Sequence, residues 1–103
     1  MAVVEISVVP LGTGTTSVSA YVAACVKIAA ASGLNYKLTP MGTVIEGDLD
    51  ALLPVLRRMH EIPFEHGASR VSTLIKIDDR RDRESHDLEG KIRSVDEKLK
   101  SDS

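Results

Sequence analysis

The distribution of apolar and polar residues along the chain predicts four β-strands and three α-helices. The strands are indicated by alternating or β-branched segments, at residues 2–10, 34–39, 43–47 and 70–78. The helices are indicated by apolar residues that recur every three or four positions, at residues 17–32, 50–63 and 85–100. Gly33 stands where a helix C-cap belongs, and Pro63 is expected to end or kink the second helix.

The order β-α-β-β-α-β is the split βαβ pattern of a ferredoxin-like sandwich. The fold class is therefore α+β, with a four-stranded antiparallel sheet, two helices on one face and the other face open, in a single domain of residues 1–103. The extra C-terminal helix has an apolar stripe formed by Leu88, Ile92, Val95 and Leu99. Because two helices already fill the covered face, this stripe is expected to bury itself on the open face or against a neighbouring subunit.

Composition narrows the function classes. The 103 residues include one cysteine, 43% hydrophobic and 27% charged residues, and carry a net charge of −2. These values are typical of a soluble domain, and an unpaired cysteine favours the cytoplasm. No segment has the length of a membrane helix. The acidity and an aromatic fraction of only 3% argue against nucleic acid. The three histidines do not have the spacing of metal ligands, so the sequence predicts neither a metal site nor a cofactor.

The segment 39–47 carries the most informative polar residue. Pro40 and Gly42 suit a tight turn, and the strand that follows ends on Glu46. If Ile45 faces the helices, Glu46 shares the open face of the sheet with Glu5 and Ser7, whereas alternation sends Thr43 to the helix side. Two carboxylates and a hydroxyl favour a cationic or amino-bearing ligand; the alternative is a solvated surface with paired charges.

Enzymatic chemistry has weaker support. The glycine- and threonine-rich loop at residues 11–17 precedes a helix, where backbone amides can hold an anion, but it is neither a phosphate-binding nor a dinucleotide-binding motif. A small acylphosphatase-like enzyme would need an arginine beside this loop, and residues 1–17 contain none. No serine or threonine is placed beside a histidine that could activate it. We therefore expect a protein that is not an enzyme.

Four segments resemble the YkoF-like thiamine-binding family: residues 7–13, 40–47, 67–71 and 76–82, with the sequences SVVPLGT, PMGTVIEG, GASRV and KIDDRRD. The resemblance continues into the last helix and covers most of the chain. It implies a ferredoxin-like fold, a homo-oligomer that is a tetramer built from two dimers, and binding of thiamine or its hydroxymethylpyrimidine moiety. No catalytic activity is implied.

The resemblance also suggests roles for individual residues. Glu46 is expected to contact the pyrimidine ring or its amino group, and Ser7 and Thr43 to supply hydroxyls. Tyr36 is the expected stacking ring, and Glu5 joins the carboxylate face. Larger members of the family bind thiamine in duplicated domains, whereas this chain has one. A ligand-sensing regulatory module, resembling amino-acid-binding domains of the same fold, is the alternative to a thiamine binder.

Overall fold

The computed structural model describes residues 1–12 and 19–82, together with Val95 and Leu99. The elements are β1 (Ala2–Leu11), α1 (Ser19–Ala31), β2 (Asn35–Thr39), β3 (Gly42–Gly47), α2 (Leu49–Glu65) and β4 (Arg70–Asp79). The strands form one antiparallel sheet in the order β2-β3-β1-β4. This topology confirms the predicted α+β class and the ferredoxin-like sandwich.

The core lies between the sheet and the two helices. We call the side of the sheet that packs against α1 and α2 the helix face, and the opposite side the open face. Alternation along β1 and β3 turns Val4, Ile6 and Ile45 to the helix face, where α1 and α2 bury them. The remaining core residues are Ala2, Cys25, Ala29, Leu52, Leu56, Met59 and Ile62. Each large side chain buried in this way contributes about 1.5–3 kcal/mol of hydrophobic stabilisation.

The sequence left two outcomes for Pro63, an end or a kink of the second helix. Helix α2 continues through Pro63 to Glu65, so the first is wrong and the second stays a prediction. Proline has no backbone N–H, and a proline inside a helix deprives the carbonyl four residues earlier of its usual partner. Here that carbonyl belongs to Met59, and the thiol of Cys25 on α1 donates a hydrogen bond to it at 3.4 Å. The neighbouring helix thus supplies the donor that Pro63 lacks.

The turn between β2 and β3 is held by a side chain. Thr39 Oγ1 accepts hydrogen bonds from the backbone N–H groups of Met41 and Gly42, at 3.3 and 3.2 Å, and donates to the Gly42 carbonyl at 2.9 Å. Two-residue hairpin turns usually contain residues of positive φ, but neither Pro40 nor Met41 has one. The three bonds of Thr39 stabilise this less common turn.

Residues 13–18, 83–94, 96–98 and 100–103 lie outside the described residues. They include residues 13–17 of the anion-loop prediction and all but two residues of the helix predicted at 85–100. Val95 and Leu99 are both helical, and they are 56% and 64% exposed. Within the described residues, no helix is both long and apolar enough to cross a membrane.

Candidate functional site

A pocket opens where β1 extends past the end of β3. The pairing of β1 with β3 stops at Ile6 and Thr43, whereas its pairing with β4 continues to Leu11. Beyond Ile6, therefore, one side of β1 has no strand against it in the described structure, and the β2–β3 turn folds over the gap. We call the resulting space the hairpin pocket.

The hairpin pocket has a volume of about 210 Å³. Its described lining consists of residues 6–10 of β1, Val22 and Cys25 of α1, residues 38–43 of the hairpin, and Met59 of α2. The inner end is formed by the buried side chains of Ile6, Cys25 and Met59. Burial raises the pKa of the Cys25 thiol, which keeps it protonated and able to donate to Met59.

The rim of the hairpin pocket is apolar and exposed. Met41, at the tip of the turn, is 78% exposed, and Leu38 is more than half exposed. Exposed apolar side chains grouped at the mouth of a pocket are typical of a binding site. Methionine is also flexible enough to fold over a flat ligand. The hairpin can therefore supply a movable apolar wall.

Hydroxyl groups supply the polar chemistry of the pocket. Ser7, Thr39 and Thr43 are among its lining residues, and no described lining residue is charged. The Thr39 hydroxyl already forms the three hydrogen bonds that hold the β2–β3 turn. Thr43 is only 5% exposed, and within the described structure its hydroxyl has no hydrogen-bond partner. A buried hydroxyl without a partner costs about 1–3 kcal/mol, and a bound ligand would recover that cost.

The five site residues predicted from the sequence fall on both faces of the sheet. Glu5, Ser7 and Glu46 lie on the open face as expected. Glu46 stands opposite Val3 in the β1–β3 register, so Glu5 is its diagonal neighbour. Residues at such diagonal positions on neighbouring strands lie about 7–8 Å apart. The amide of Asn35 donates a hydrogen bond to Glu46 Oε1 at 2.5 Å, so this carboxylate already has a partner.

Thr43 and Tyr36 lie on the helix face instead. Tyr36 stands opposite the buried Ile45 in the β2–β3 register, and Thr43 stands opposite Ile6. Ser7 and Thr43 thus both line the hairpin pocket, although their side chains lie on opposite faces of the sheet, and Glu46 lies outside the pocket. Tyr36 lines neither the pocket nor the open face. In this arrangement it is not placed to stack on a ligand in the hairpin pocket, as the sequence had predicted.

Glu5 lies beside the pocket without lining it. A Cβ atom added at Gly42 would lie 3.7 Å from Glu5 Cγ, and Gly42 is part of the rim. The carboxylate is exposed on the open face. A ligand that extended out of the pocket in this direction would meet a negative charge.

Sequence patterns did not point to several lining residues. Cys25 and Met59 fit the apolar stripes of their helices as ordinary core residues, and nothing in a linear pattern shows that the core is open beside them. Met41 is the exception, because an apolar residue at the tip of a tight turn is unusual. Among the described residues, no cluster of three or more histidine, cysteine or acidic side chains could hold a metal ion.

Comparison with known proteins finds a family model and relatives that match most of the chain. The family model described as "Thiamine-binding protein" matches residues 4–96. The UPF0045 protein YqgV of Bacillus subtilis is 48% identical over 103 residues, covering 96% of this chain and 98% of the relative. The match thus spans nearly the full length of both proteins.

Solved structures agree with the fold. The hypothetical protein MJ1052 of Methanocaldococcus jannaschii superposes with a TM-score of 0.82 at 36% identity, covering 93% of this chain and 96% of that one. A Thermotoga maritima protein, named for a suggested role in thiamine biosynthesis or salvage, gives a TM-score of 0.76 at 19% identity. That superposition covers 91% of this chain and 97% of the Thermotoga maritima protein. At that identity the second likeness supports the fold alone.

Proposed function

The chain belongs to the thiamine-binding protein family, and on that premise we propose that it binds thiamine, or the hydroxymethylpyrimidine ring of thiamine, in the hairpin pocket. The single observation that carries the location is the hydroxyl of Thr43, which is buried, faces the pocket and has no partner in the described structure. We also propose that binding is not followed by catalysis, and that the protein acts in the cytoplasm.

The size of the pocket supports a single ring. Its volume of about 210 Å³ is below the range of roughly 300–1,000 Å³ typical of pockets for drug-sized ligands. One pyrimidine ring between the apolar rim and the inner end formed by Cys25 and Met59 suits this volume. The remainder of a thiamine molecule would extend out of the mouth.

The polarity of the pocket supports a neutral ring with nitrogen atoms. Ser7 and Thr43 each offer one hydroxyl that can both donate and accept. An aminopyrimidine presents ring nitrogens that accept and an amino group that donates, so it can form a hydrogen bond with either hydroxyl. A cationic thiazolium ring is better placed outside, near Glu5, because a carboxylate stabilises a nearby cation.

The absence of catalysis is proposed from the character of Cys25. This residue is a nucleophile type at the inner end, but burial raises the pKa of its thiol, and the S–H group donates a hydrogen bond to the Met59 carbonyl. A thiol held in this state is a poor nucleophile. The proposal requires that thiamine incubated with the protein is recovered chemically intact.

Calorimetric titration of three proteins tests both the ligand and its location. The proteins are the wild type, Thr43→Val and Glu46→Gln, each titrated with thiamine and with hydroxymethylpyrimidine. Valine has the shape of threonine without the hydroxyl, so we expect a five- to ten-fold weaker affinity, corresponding to about 1 kcal/mol for one hydrogen bond. Glu46→Gln, on the open face, should change the affinity less than two-fold.

The thermal midpoint gives the control for folding. Because the Thr43 hydroxyl is buried without a partner, Thr43→Val should unfold at the same temperature as the wild type or higher. Loss of affinity in Glu46→Gln with full affinity in Thr43→Val would move the site to the open face, as the sequence alone predicted. Absence of heat with both ligands in the wild type would contradict binding itself.

A further inference from the structure

The backbone of β1 has different neighbours before and after Ile6. Up to Ile6 the strand lies between β3 and β4, and from Ser7 to Leu11 it pairs with β4 alone. In an antiparallel strand the N–H and C=O groups of one residue point to the same neighbour, and successive residues alternate between the two neighbours. Beyond Ile6, therefore, the backbone groups of every second residue face the gap where β3 has ended.

The position of Gly42 identifies the residue whose backbone faces this gap. A Cβ atom added at Gly42 of β3 would lie 2.6 Å from the carbonyl oxygen of Ile6, so the backbone groups of Ile6 point toward β3. By alternation, those of Ser7 and Val9 point toward β4, and those of Val8 point to the side where β3 is missing. Val8 is among the residues that line the hairpin pocket, so its N–H and C=O groups face the pocket.

Pro10 supports this phase independently. A proline cannot donate to a ladder, so within a sheet its nitrogen faces away from the strand with which it pairs. Pro10 stands opposite Val71 of β4, and in the phase set by Ile6 its nitrogen points away from β4. The β1–β4 ladder therefore loses no hydrogen bond at Pro10.

In the part of the chain that the structure describes, the backbone groups of Val8 have no hydrogen-bond partner. The β2–β3 turn, which folds over the gap, forms its hydrogen bonds with the Thr39 side chain and none with Val8. Val8 is half-buried, and its side chain packs against the core. Backbone groups beside a core are normally paired. A donor and an acceptor left together on one residue therefore favour a ligand that supplies both partners.

We propose that the N–H and C=O groups of Val8 bind the edge of the pyrimidine ring that carries the amino group. The inference rests on the proposed function and specifies how the hairpin pocket selects its ligand. The N–H group donates to the ring nitrogen beside the amino group, and the C=O group accepts a hydrogen bond from the amino group. A residue of β3 would form the same two bonds if the ladder continued, so the ring takes the place of one residue of that strand.

The side chains around Val8 suit a flat ring in this position. A ring that continues the plane of the sheet has one surface toward the helices, which contribute Val22, Cys25 and Met59 to the pocket lining. These side chains give the ring an apolar support, while its polar edge meets the backbone. The second proton of the amino group and the other ring nitrogen stay available to the hydroxyls of Ser7 and Thr43. This is the usual division of a small-molecule site into apolar walls and a few placed polar groups.

A peptide strand is the competing occupant of an open strand edge. Pairing with a peptide requires a donor and an acceptor at every second residue of β1. Ile6 already pairs with Thr43, and Pro10 has no N–H. Val8 is then the one residue of β1 that offers both groups to the gap, which suits a single ring better than a strand.

A backbone ester at Val8 tests the donor without changing any side chain. Cys25 makes this variant accessible, because a synthetic peptide of residues 1–24 can be joined by native chemical ligation to residues 25–103 and the full chain refolded. Replacing Val8 by its α-hydroxy acid exchanges the N–H group for an oxygen atom. The matched control is the same replacement at Val3, whose backbone faces β4 opposite Asp78, away from the pocket lining.

We expect the Val8 ester to bind hydroxymethylpyrimidine about five- to ten-fold more weakly than the ligated wild type, because one hydrogen bond is lost. The Val3 ester should keep the wild-type affinity, and its thermal midpoint should fall further than that of the Val8 ester, because it loses a ladder bond. Equal affinity of the Val8 ester and the wild type would overturn the role of Val8 and leave the pocket as the site. A ligated wild type that does not bind would contradict the proposed function as well.

Two analogues of the ligand test the two bonds separately. In the first a CH group replaces the ring nitrogen beside the amino group, and in the second a methyl group replaces the amino group. Each should bind the wild type about five- to ten-fold more weakly than hydroxymethylpyrimidine. To the Val8 ester the first should bind no more weakly than hydroxymethylpyrimidine, because the donor is already absent, whereas the second should still lose affinity. Additive losses for the ester and the CH group would overturn the pairing.

Hydrogen exchange of the free protein gives an independent measurement. The amides of Ser7 and Val9 face β4, whereas the amide of Val8 faces the pocket. We expect the Val8 amide to exchange at least ten-fold faster than the other two, and to become protected when hydroxymethylpyrimidine is added. Equal protection of the three amides without ligand would show that the Val8 N–H has a partner within the chain, and would overturn the proposal.

Discussion

At the scale of single residues, the contact of Cys25 with Met59 explains two features that look independent in the sequence. Pro63 sits near the end of α2 and removes the donor for the Met59 carbonyl, and the thiol of Cys25 on α1 replaces that donor. The cysteine is therefore more than a small apolar core residue. It connects the two helices at the inner end of the hairpin pocket.

Replacing Cys25 tests this connection. Cys25→Ala leaves the Met59 carbonyl without a partner and removes one buried atom, so the free energy of unfolding should fall by about 1–3 kcal/mol. Pro63→Ala supplies a backbone N–H to the same carbonyl, so the cost of Cys25→Ala should shrink by about 1 kcal/mol in that background. Urea denaturation of the four proteins measures this coupling.

Pro54 offers the matched control for that cycle. It also lies inside α2, but the carbonyl that it deprives of a donor belongs to Asp50, away from Cys25. The effects of Pro54→Ala and Cys25→Ala should therefore add. Equal coupling for both prolines, or a cost of Cys25→Ala that Pro63→Ala leaves unchanged, would show that the thiol does not act as the replacement donor.

At the scale of elements, the β2–β3 hairpin forms the site. Its turn is stabilised by the Thr39 side chain, and its first β3 residue, Gly42, packs against the backbone of β1. A Cβ atom at Gly42 would lie 2.6 Å from the Ile6 carbonyl oxygen, which is closer than any side chain tolerates. The glycine is thus needed for close approach between strands, and its φ is not positive.

Gly42→Ala should consequently damage both stability and binding. The strands must separate at the rim of the pocket, so we expect a loss of about 1–3 kcal/mol in unfolding free energy and a weaker affinity for the pyrimidine. Gly47→Ala in the same strand is the control, since its Cβ would meet only the Leu34 side chain, at 3.1 Å, which can move aside. Thermal unfolding and titration of both variants provide the comparison; equal effects would contradict a special role for Gly42.

Sequence patterns predicted the elements well because period and turn chemistry are local. The four strands, the first two helices and the left-handed Gly33 (φ 78°) all follow from short segments. Pro63 was misjudged because the donor that makes it tolerable lies 38 positions away, at Cys25. The hairpin pocket could not be predicted either. It exists because β1 pairs with β4 over more residues than it pairs with β3, and no single segment of the sequence shows this difference.

At the scale of the whole molecule, the proposed binding site occupies only one part of the sheet. The hairpin pocket lies beside the β2–β3 hairpin, whereas β4 forms the opposite edge. The tetramer built from two dimers that the family resemblance implies stays a prediction. An interface on the open face would affect Glu5 and Glu46, which both lie there.

The most direct measurement of the central claim is a nuclear magnetic resonance titration of the uniformly nitrogen-15-labelled protein with hydroxymethylpyrimidine. Binding in the hairpin pocket predicts saturable shifts of the backbone amides at residues 6–9, 38, 39 and 41–43, with small changes around Asn35 and Glu46. Shifts centred on Glu46, or no saturable shifts at all, would contradict the assignment of the pocket as the thiamine-binding site.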